Sequence, residues 1–212
     1  MSRGRLISFE GGEGAGKSSV IVAISQCLSA HKISHCLTRE PGGTPFAEAL
    51  RDALLHRTDA AIAPQAEVLA MFAARAQHVR ELIEPALTAG QWVLTDRYTD
   101  ASFAYQGGGR GIACEALMWL EDFATAGLKP DRTYLLDVDL DEGRRRLAQR
   151  GGVEDRMERE SDGFFARVRA AYLARAAAEP QRFRVIDARA PLAEVIEQVR
   201  ADLVDLIDSE GQ

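Results

Sequence analysis

The chain has 212 residues, of which 46% are hydrophobic and 27% are charged, and its formal net charge is −6. This length suits one well-packed α/β domain and is short for two. The acidic balance argues against a general nucleic-acid binder, whose domain usually carries a basic surplus, and no apolar run approaches the roughly 18 residues needed to span a membrane.

Cysteine usage and the N-terminus bear on the compartment. The three cysteines, Cys27, Cys36 and Cys114, are odd in number and show no Cys-x-x-Cys spacing, so they are interpreted as free thiols in a reducing environment. The apolar stretch Leu6–Phe9 is too short for the core of a signal peptide. A cytoplasmic protein with no membrane and no nucleic-acid partner is therefore expected.

Five short apolar runs alternate with helical patterns, which predicts a parallel sheet with crossover helices. A charged residue closely follows each run. In an open α/β sheet the ligand crevice lies at the carboxyl ends of the strands, so the chemistry is expected at these positions. The runs are Leu6–Phe9, Ser34–Thr38, Trp92–Thr95, Thr133–Asp137 and Phe183–Ile186.

The first strand leads into Gly11–Ser18, which fits the phosphate-loop pattern G-x-x-x-x-G-K-[ST]. Its glycines let backbone N–H groups turn around phosphates, and the next helix directs its positive end at the same anion. Lys17 is expected to reach the β- and γ-phosphates of ATP, and Ser18 to ligate Mg²⁺. The predicted ATP-binding residues are Gly11, Gly12, Glu13, Gly14, Ala15, Gly16, Lys17, Ser18 and Ser19.

A second anion site is predicted from Arg39, within Thr38–Thr44 (TREPGGT), and from Arg97, within Asp96-Arg97-Tyr98. Both arginines end predicted strands that are expected beside the phosphate-loop strand, and guanidinium groups suit phosphate oxygens. The charged stretch Arg150–Arg159 has no apolar period and is interpreted as a closing flap. A small-molecule kinase needs both features.

Other phosphate-loop classes fit less well. A GTPase would need an [NT]KxD segment, but Lys129 follows Leu128 and Lys32 offers no match. A motor or DNA-dependent ATPase would usually be larger and carry a basic groove. A kinase for another monophosphate or a deoxynucleoside, and a nucleotide sensor without activity, remain alternatives.

Three further helices are predicted. Gln65–Leu87 has the composition of one long helix, and the apolar spacing of Leu192–Leu206 marks a terminal amphipathic helix. The segment Ala113–Ala126 is compatible with either the core or an interface.

Four motifs, in order along the chain, resemble thymidylate kinase. They are Phe9–Ser18, TREPGGT, Asp96-Arg97-Tyr98 and Tyr105–Gly111 (YQGGGRG), and the likeness extends from Leu6 to about Leu203. The resemblance implies the P-loop nucleoside monophosphate kinase fold, a five-stranded parallel sheet flanked by helices, in a single domain over 1–212 with a short lid at about 150–160. It implies transfer of the γ-phosphoryl of ATP to dTMP, giving dTDP and ADP in dTTP biosynthesis, with Mg²⁺ and usually as a homodimer.

The resemblance also implies residue roles on the dTMP side. Phe72 stacks on the thymine ring, Arg75 contacts its carbonyl edge, and the Ser102 hydroxyl bonds the base. Tyr105 crowds C2′ of the sugar and so disfavours ribose, and Gln106 lies near the substrate. The remaining substrate-binding residues are Glu13, Arg39 and Arg97.

The catalytic and metal residues are assigned in the same way. Glu13 contacts the sugar 3′-hydroxyl or magnesium, and Asp96 holds the water shell of magnesium. Arg39 and Arg97 grip the dTMP phosphate. Because Gly12–Ala15 contain no arginine, the chain resembles the type whose catalytic arginines come from the lid, here Arg150 and Arg156 beside Lys17 and Arg97.

Overall fold

The computed structural model describes residues 3–56, 61–151 and 155–208, with the side chain of Arg150 outside the described part. Within these residues five strands form one sheet of order β2-β3-β1-β4-β5, and every neighbouring pair is parallel. The predicted parallel sheet is thus confirmed. The strands are β1 Leu6–Glu10, β2 His35–Arg39, β3 Trp92–Asp96, β4 Arg132–Asp137 and β5 Phe183–Asp187.

The order of the strands corrects one detail of the prediction. β1 pairs with β3 and β4, whereas β2 pairs only with β3. Arg39 therefore ends a strand next but one to the phosphate-loop strand, and only Arg97 follows a direct neighbour. The register still aligns Arg39 with Asp96, so both arginines stand at the same edge of the sheet.

Nine α-helices occur in the described residues, and two of them continue into π-helical stretches. None of these helices is long and apolar enough to span a membrane. The helices are α1 Lys17–Ala30, α2 Pro45–Leu55, α3 Pro64–His78, α4 Glu84–Thr88, α5 Thr99–Ser102, α6 Cys114–Thr125, α7 Leu140–Arg150, α8 Asp162–Ala178 and α9 Leu192–Asp208; the π-helical stretches are Val79–Ile83 and Phe103–Gly109.

The two faces of the sheet bury different helices. Ile7 and Phe9 of β1 face a core formed with α1 and α9. Leu6 faces the opposite side, where it packs with Val79 and Ile83 of the long helix. This division follows from the strand geometry, because successive side chains point to opposite faces.

The long helix predicted over Gln65–Leu87 is observed as α3, a π-helical turn and α4 in direct succession. Pro85 has no N–H to give to the carbonyl four residues earlier, so a locally widened turn is compatible with its position. The three stretches form one continuous helix, and its first part, α3, contributes Met71 and Arg75 to the site.

The helix α8, which follows the lid segment, packs tightly on the π-helical stretch Phe103–Gly109. A Cβ at Gly109 would lie 2.3 Å from the ring of Phe164 on α8. The glycine run of YQGGGRG therefore allows a close approach of backbone to helix. This contact brings α8 to the edge of the sheet that carries the site.

Candidate active site

A crevice of about 680 Å³ opens at the carboxyl edge of the sheet. The structure brings most of the predicted site residues to it from elements far apart in the chain. The predicted residues that line it are Glu13, Gly14, Ala15, Gly16, Lys17, Ser18, Ser19, Arg39, Arg75, Asp96, Arg97, Ser102, Tyr105 and Gln106.

The phosphate loop runs from the end of β1 into α1. Gly16 caps α1 in the left-handed conformation, and Lys17 is the first residue of the helix. The Lys17 ammonium donates to the carbonyls of Gly11 and Gly12, at 3.2 Å each. Burial, together with the nearby Arg97, lowers the pKa of Lys17. A buried cation folded back over its own loop is well placed to exchange these carbonyls for phosphate oxygens.

Gly14 packs closely against helix α7. Its φ is 73°, and a Cβ there would lie 2.3 Å from the carbonyl oxygen of Gly143 on α7. Gly12 has open space around the same position. The loop therefore needs glycine at Gly14 for both conformation and packing.

Arg97 stands between the phosphate loop and the opposite wall. One terminal nitrogen, Nη1, donates to the Gly11 carbonyl at 2.8 Å and to the Tyr172 hydroxyl at 3.2 Å. The other, Nη2, pairs with Glu13 and donates to the Tyr105 hydroxyl at 3.0 Å. Because Glu13 and Tyr105 line the crevice, Nη2 is the part of the guanidinium that faces it.

Two more arginines border the same end of the crevice. Arg39 donates to both oxygens of Glu48, at 2.9 and 3.1 Å, and is half exposed. Arg51, which the sequence analysis missed, lies one element further along on α2 and donates to the Pro41 carbonyl at 2.9 Å. Burial and the proximity of Arg39 lower the pKa of Arg51. The sequence signal for Arg51 is its position seven residues after Thr44, the N-cap of α2. Seven residues are about two helical turns, so Arg51 returns to the side of the helix on which the TREPGGT motif ends.

The far end of the crevice is a buried polar network around Arg75. Arg75 donates to Glu40 at 2.6 Å, to the Ser102 hydroxyl at 3.0 Å and to the Tyr98 carbonyl at 3.0 Å. Burial alone would raise the pKa of Glu40, but Arg75 and His78 lower it. These contacts fix the orientation of Arg75, so the crevice presents a rigid donor at this end.

The structure does not bring Phe72 to the crevice, which corrects the predicted stacking role. Phe72 is 3% exposed and packs in a core cluster with Val68, Phe103 and Leu117. The neighbouring residue Met71 lines the crevice instead. A rotation of 100° per residue separates adjacent side chains on a helix, so an error of one position in the motif moves the residue from the site to the core.

The residues predicted to hold Mg²⁺ fit such an ion in part. Asp96 lines the crevice, and its Oδ1 is buried without a hydrogen-bond partner in the described structure. Buried polar oxygens rarely lack a hydrogen-bond partner. The unpaired Asp96 Oδ1 is therefore compatible with binding a water molecule or an ion that enters together with the nucleotide. No group of three or more His, Cys, Asp or Glu in the described ranges could bind a metal ion by itself. Phosphate oxygens would have to complete the coordination.

The structure places Arg156, predicted to be catalytic, away from the crevice lining. Its side chain donates to the Leu54 carbonyl at 2.7 Å and to Glu67 at 2.7 Å. Burial alone would raise the pKa of Glu67, but hydrogen bonds from Gln106, Arg110 and Arg156 lower it. In this arrangement Arg156 fastens the predicted lid segment to α2 and α3.

The rest of the predicted lid is described only in part. The side chain of Arg150 and residues 152–154 lie outside the described residues, so the role predicted for Arg150 is not tested. Arg159 lines a second cavity of about 920 Å³, on the other side of the phosphate loop between α7 and α8. Gly11 and Gly12 also line that cavity.

Comparison with known proteins gives one consistent result. The sequence model of the family described as thymidylate kinase matches residues 9–199. A thymidylate kinase from Halorhodospira halophila is 54% identical to this chain, over 99% of this chain and 98% of its own length. Those from Methylococcus capsulatus and Chromohalobacter salexigens are 53% and 49% identical, over 91% and 99% of this chain and 91% and 99% of their own lengths.

Proposed function

The chain belongs to the thymidylate kinase family, and we infer that the crevice at the carboxyl edge of its sheet is the place where it phosphorylates dTMP to dTDP. The protein is an enzyme of this activity, with ATP as the γ-phosphoryl donor. One observation carries the assignment to the crevice. The phosphate loop and the guanidinium groups of Arg39, Arg51 and Arg97 line one continuous space.

The phosphate loop is proposed as the donor side. Its backbone N–H groups and the N-terminus of α1 would surround the phosphates of ATP, with Lys17 on the β- and γ-phosphates. Support comes from the buried Lys17 ammonium, whose partners are main-chain carbonyls rather than a carboxylate. The ammonium can therefore exchange these carbonyls for phosphate oxygens without breaking a direct ion pair.

The arginines opposite are proposed as the acceptor side. Arg97, Arg39 and Arg51 would bind the phosphate of dTMP, and Arg97 would also stabilise charge on the transferred phosphoryl. Holding the two phosphates face to face in a site closed to water is the larger part of catalysis for this reaction.

The polar network at the far end is proposed as the base site. Arg75 would contact the carbonyl edge of thymine, and the Ser102 hydroxyl, which already accepts from Arg75, has its own hydrogen to offer. Met71, rather than Phe72, is proposed to pack against the ring. Tyr105 would crowd C2′ of the sugar, and Glu13, Gln106 and Tyr105 complete the substrate contacts.

Ser18 and Asp96 are proposed to hold Mg²⁺, Ser18 directly and Asp96 through water, with Glu13 as a further acid nearby. Bound with ATP, the ion would neutralise phosphate oxygens. Arg150 is proposed as the lid arginine that approaches the transferred group, whereas Arg156 is proposed to anchor the lid.

A homodimer is proposed from one surface of α3 and α6. Three large apolar residues of α6, Met118, Trp119 and Phe123, are each more than half exposed, and Leu69 of the adjoining α3 is 57% exposed. Trp119 and Phe123 stack with their ring centres 5.1 Å apart. Exposed apolar patches of this kind mark protein interfaces.

A cytoplasmic location is also proposed. The three cysteines, Cys27, Cys36 and Cys114, are free thiols, which is compatible with a reducing compartment.

A coupled assay of ADP release tests the proposed function. The substrates are dTMP, dUMP, dCMP, dGMP and thymidine, each with ATP and Mg²⁺. We expect dTMP to be the best substrate and dUMP to be about 10- to 200-fold poorer in kcat/KM, because a methyl group contributes only ~1–3 kcal/mol of discrimination. A preference for another monophosphate or for thymidine would contradict the assignment. Nucleotide binding without ADP release from any substrate would indicate a sensor.

A further inference from the structure

The backbone of Arg97 is held in an unusual conformation. Its φ is 71°, in the left-handed region that residues other than glycine rarely adopt. Three hydrogen bonds hold the main chain there: Arg97 N donates to the Phe9 carbonyl at 3.0 Å, Thr95 Oγ1 donates to the Arg97 carbonyl at 2.8 Å, and Tyr98 N donates to Glu10 Oε1 at 2.7 Å. Only the last of these comes from a side chain on the neighbouring strand β1.

Glu10 is also connected to the side chain of Arg97, through the hydroxyl of Tyr172. Its second oxygen, Oε2, accepts from the Tyr172 hydroxyl at 2.7 Å, and the same hydroxyl accepts from Arg97 Nη1 at 3.2 Å. Glu10 and Tyr172 are 0% and 1% exposed, and neither lines the main crevice. The one buried carboxyl group of Glu10 thus holds the backbone after Arg97 and, through the Tyr172 hydroxyl, the guanidinium of Arg97.

The contacts of the guanidinium divide into two groups. Nη1 contacts Gly11 and Tyr172, a carbonyl of the loop and a hydroxyl behind the crevice. Nη2 contacts Glu13 and Tyr105, which line the crevice. Fixing Nη1 from behind therefore sets the direction in which Nη2 is presented.

We propose that Glu10 and Tyr172 are positioning residues that aim Arg97 at the phosphate of the acceptor nucleotide. Glu10 supplies a fixed point on the sheet, and Tyr172 supplies one on α8, the helix that follows the lid segment. The proposal rests on the proposed function, in which Arg97 binds the dTMP phosphate.

If Tyr172 had only a structural role, removing its hydroxyl would lower stability without a specific effect on dTMP kinetics. A second buried tyrosine of the chain, Tyr134, provides the control for this case. The Tyr172 ring packs in the core between α8 and β4, so Tyr172→Phe retains the ring and removes only the hydroxyl. Tyr134 is also fully buried, and its hydroxyl donates to Asp202 of α9 at 2.9 Å. Tyr134→Phe therefore removes a hydrogen bond from a buried tyrosine to a partly buried carboxyl group, away from the crevice.

The experiment is steady-state kinetics of both variants with dTMP and ATP varied in turn, together with thermal unfolding. We expect both variants to lose some stability, because each loses one hydroxyl–carboxyl hydrogen bond. Only Tyr172→Phe is expected to lower kcat/KM for dTMP, by about tenfold or more, since small misplacements of a binding group have effects of this size. KM for ATP should change less than about twofold.

A double-mutant cycle with Arg97→Ala provides the decisive readout. If Tyr172 acts through Arg97, then adding Tyr172→Phe to Arg97→Ala should change kcat/KM for dTMP no further. Equal kinetics for Tyr172→Phe and Tyr134→Phe, or full additivity in the cycle, would overturn the proposal. Glu10→Gln is measured in the same cycle and decides the question if Tyr172→Phe does not fold.

The proposed function and this proposal fail differently. If Arg97→Ala keeps wild-type kcat/KM for dTMP, the phosphate-binding role of Arg97 is wrong. If Arg97→Ala is impaired and Tyr172→Phe is not, only the positioning by Glu10 and Tyr172 is wrong.

Discussion

The protein raises the pKa of one fully buried carboxyl group and lowers the pKa of another: Glu10 lies behind the phosphate loop, and Glu67 lies under the predicted lid segment. Burial and the nearby Asp100 raise the pKa of Glu10 to about 8, although Arg97 and two hydrogen bonds oppose them. Burial also acts on Glu67, but Gln106, Arg110 and Arg156 more than offset it and lower its pKa.

The difference lies in what surrounds each acid. Glu67 binds two arginines directly, so those charges are satisfied within the protein. Glu10 binds a backbone N–H and a tyrosine hydroxyl, and Arg97, the cation that lowers its pKa, is linked to it only through that hydroxyl. Arg97 pairs instead with Glu13, which lines the crevice, whereas Arg156 pairs with a buried acid outside the crevice lining. The following predictions test that contrast.

The largest effect on turnover is expected from Lys17→Ala, in the phosphate loop. Removing the buried ammonium should lower kcat by about 100- to 1,000-fold, because it takes away a pre-oriented charge on the transferred phosphoryl. Circular dichroism and Tm should stay close to wild type, and Lys32→Ala, at an exposed lysine, is the control. Near-normal turnover of Lys17→Ala would overturn the assignment of the phosphate loop.

The next effect compares two glycines of the same loop. Gly14→Ala would bring a Cβ within 2.3 Å of the Gly143 carbonyl at a φ of 73°, whereas Gly12→Ala meets nothing within 4 Å. We expect Gly14→Ala to lower kcat/KM for ATP by about 100-fold and Gly12→Ala to have a much smaller effect. Equal losses would show that packing on α7 does not set the shape of the loop.

A smaller effect is expected at the lid anchor. Arg156→Ala should lower kcat by about tenfold, and much more than it raises KM for dTMP, because the lid loses its attachment to α3. Glu67→Gln should reproduce this loss if Arg156 acts as an anchor, and should leave kcat nearly unchanged if Arg156 reaches the phosphoryl itself. Arg145→Ala, at an exposed arginine paired with Glu142, is the control.

Arg150→Ala, compared in the same assay, addresses the remaining lid arginine. It should lower kcat far more than it affects KM for dTMP. If Arg150→Ala and Arg156→Ala both kept wild-type kcat, a mechanism based on lid arginines would be wrong.

The smallest effect is on stability, and its sign differs between the two acids. The folded-state pKa of Glu10 is raised, so its stabilising contribution is present below about pH 4.5 and is lost as the pH rises toward 8. The pKa of Glu67 is lowered, so its contribution is present above about pH 4.5 and is lost as the pH falls below that value.

Tm of Glu10→Gln and Glu67→Gln, measured against wild type between pH 4 and 9, checks these signs. The Tm of Glu10→Gln should rise relative to that of wild type as the pH increases from 5 to 9, because wild type must keep or ionise a buried acid over this range. The deficit of Glu67→Gln should be full at neutral pH and should shrink toward pH 4. Parallel trends for the two variants would contradict the contrast between the acids.

Much of this molecule was predictable from local patterns. The five strands, the phosphate loop and the long helix follow from alternation of apolar runs, from glycine spacing and from helical periodicity, which are set by neighbouring residues. Arg39 and Arg97 followed from the rule that parallel strands direct their carboxyl ends to one edge. Phe72 was predicted to face the site, but Met71, one position earlier on the same helix, is the residue that lines the crevice, since the two side chains point in different directions.

The sequence by itself determined the five strands, the glycine loop after β1, the long helix and the edge of the sheet that carries the candidate site. Only the tertiary structure decided which side chains hold one another there. Glu10 and Tyr172 are 162 positions apart, and Glu67 and Arg156 are 89 apart. No local pattern encodes such pairs, because the packing of α8 and the lid segment against the sheet is what brings them within hydrogen-bond distance.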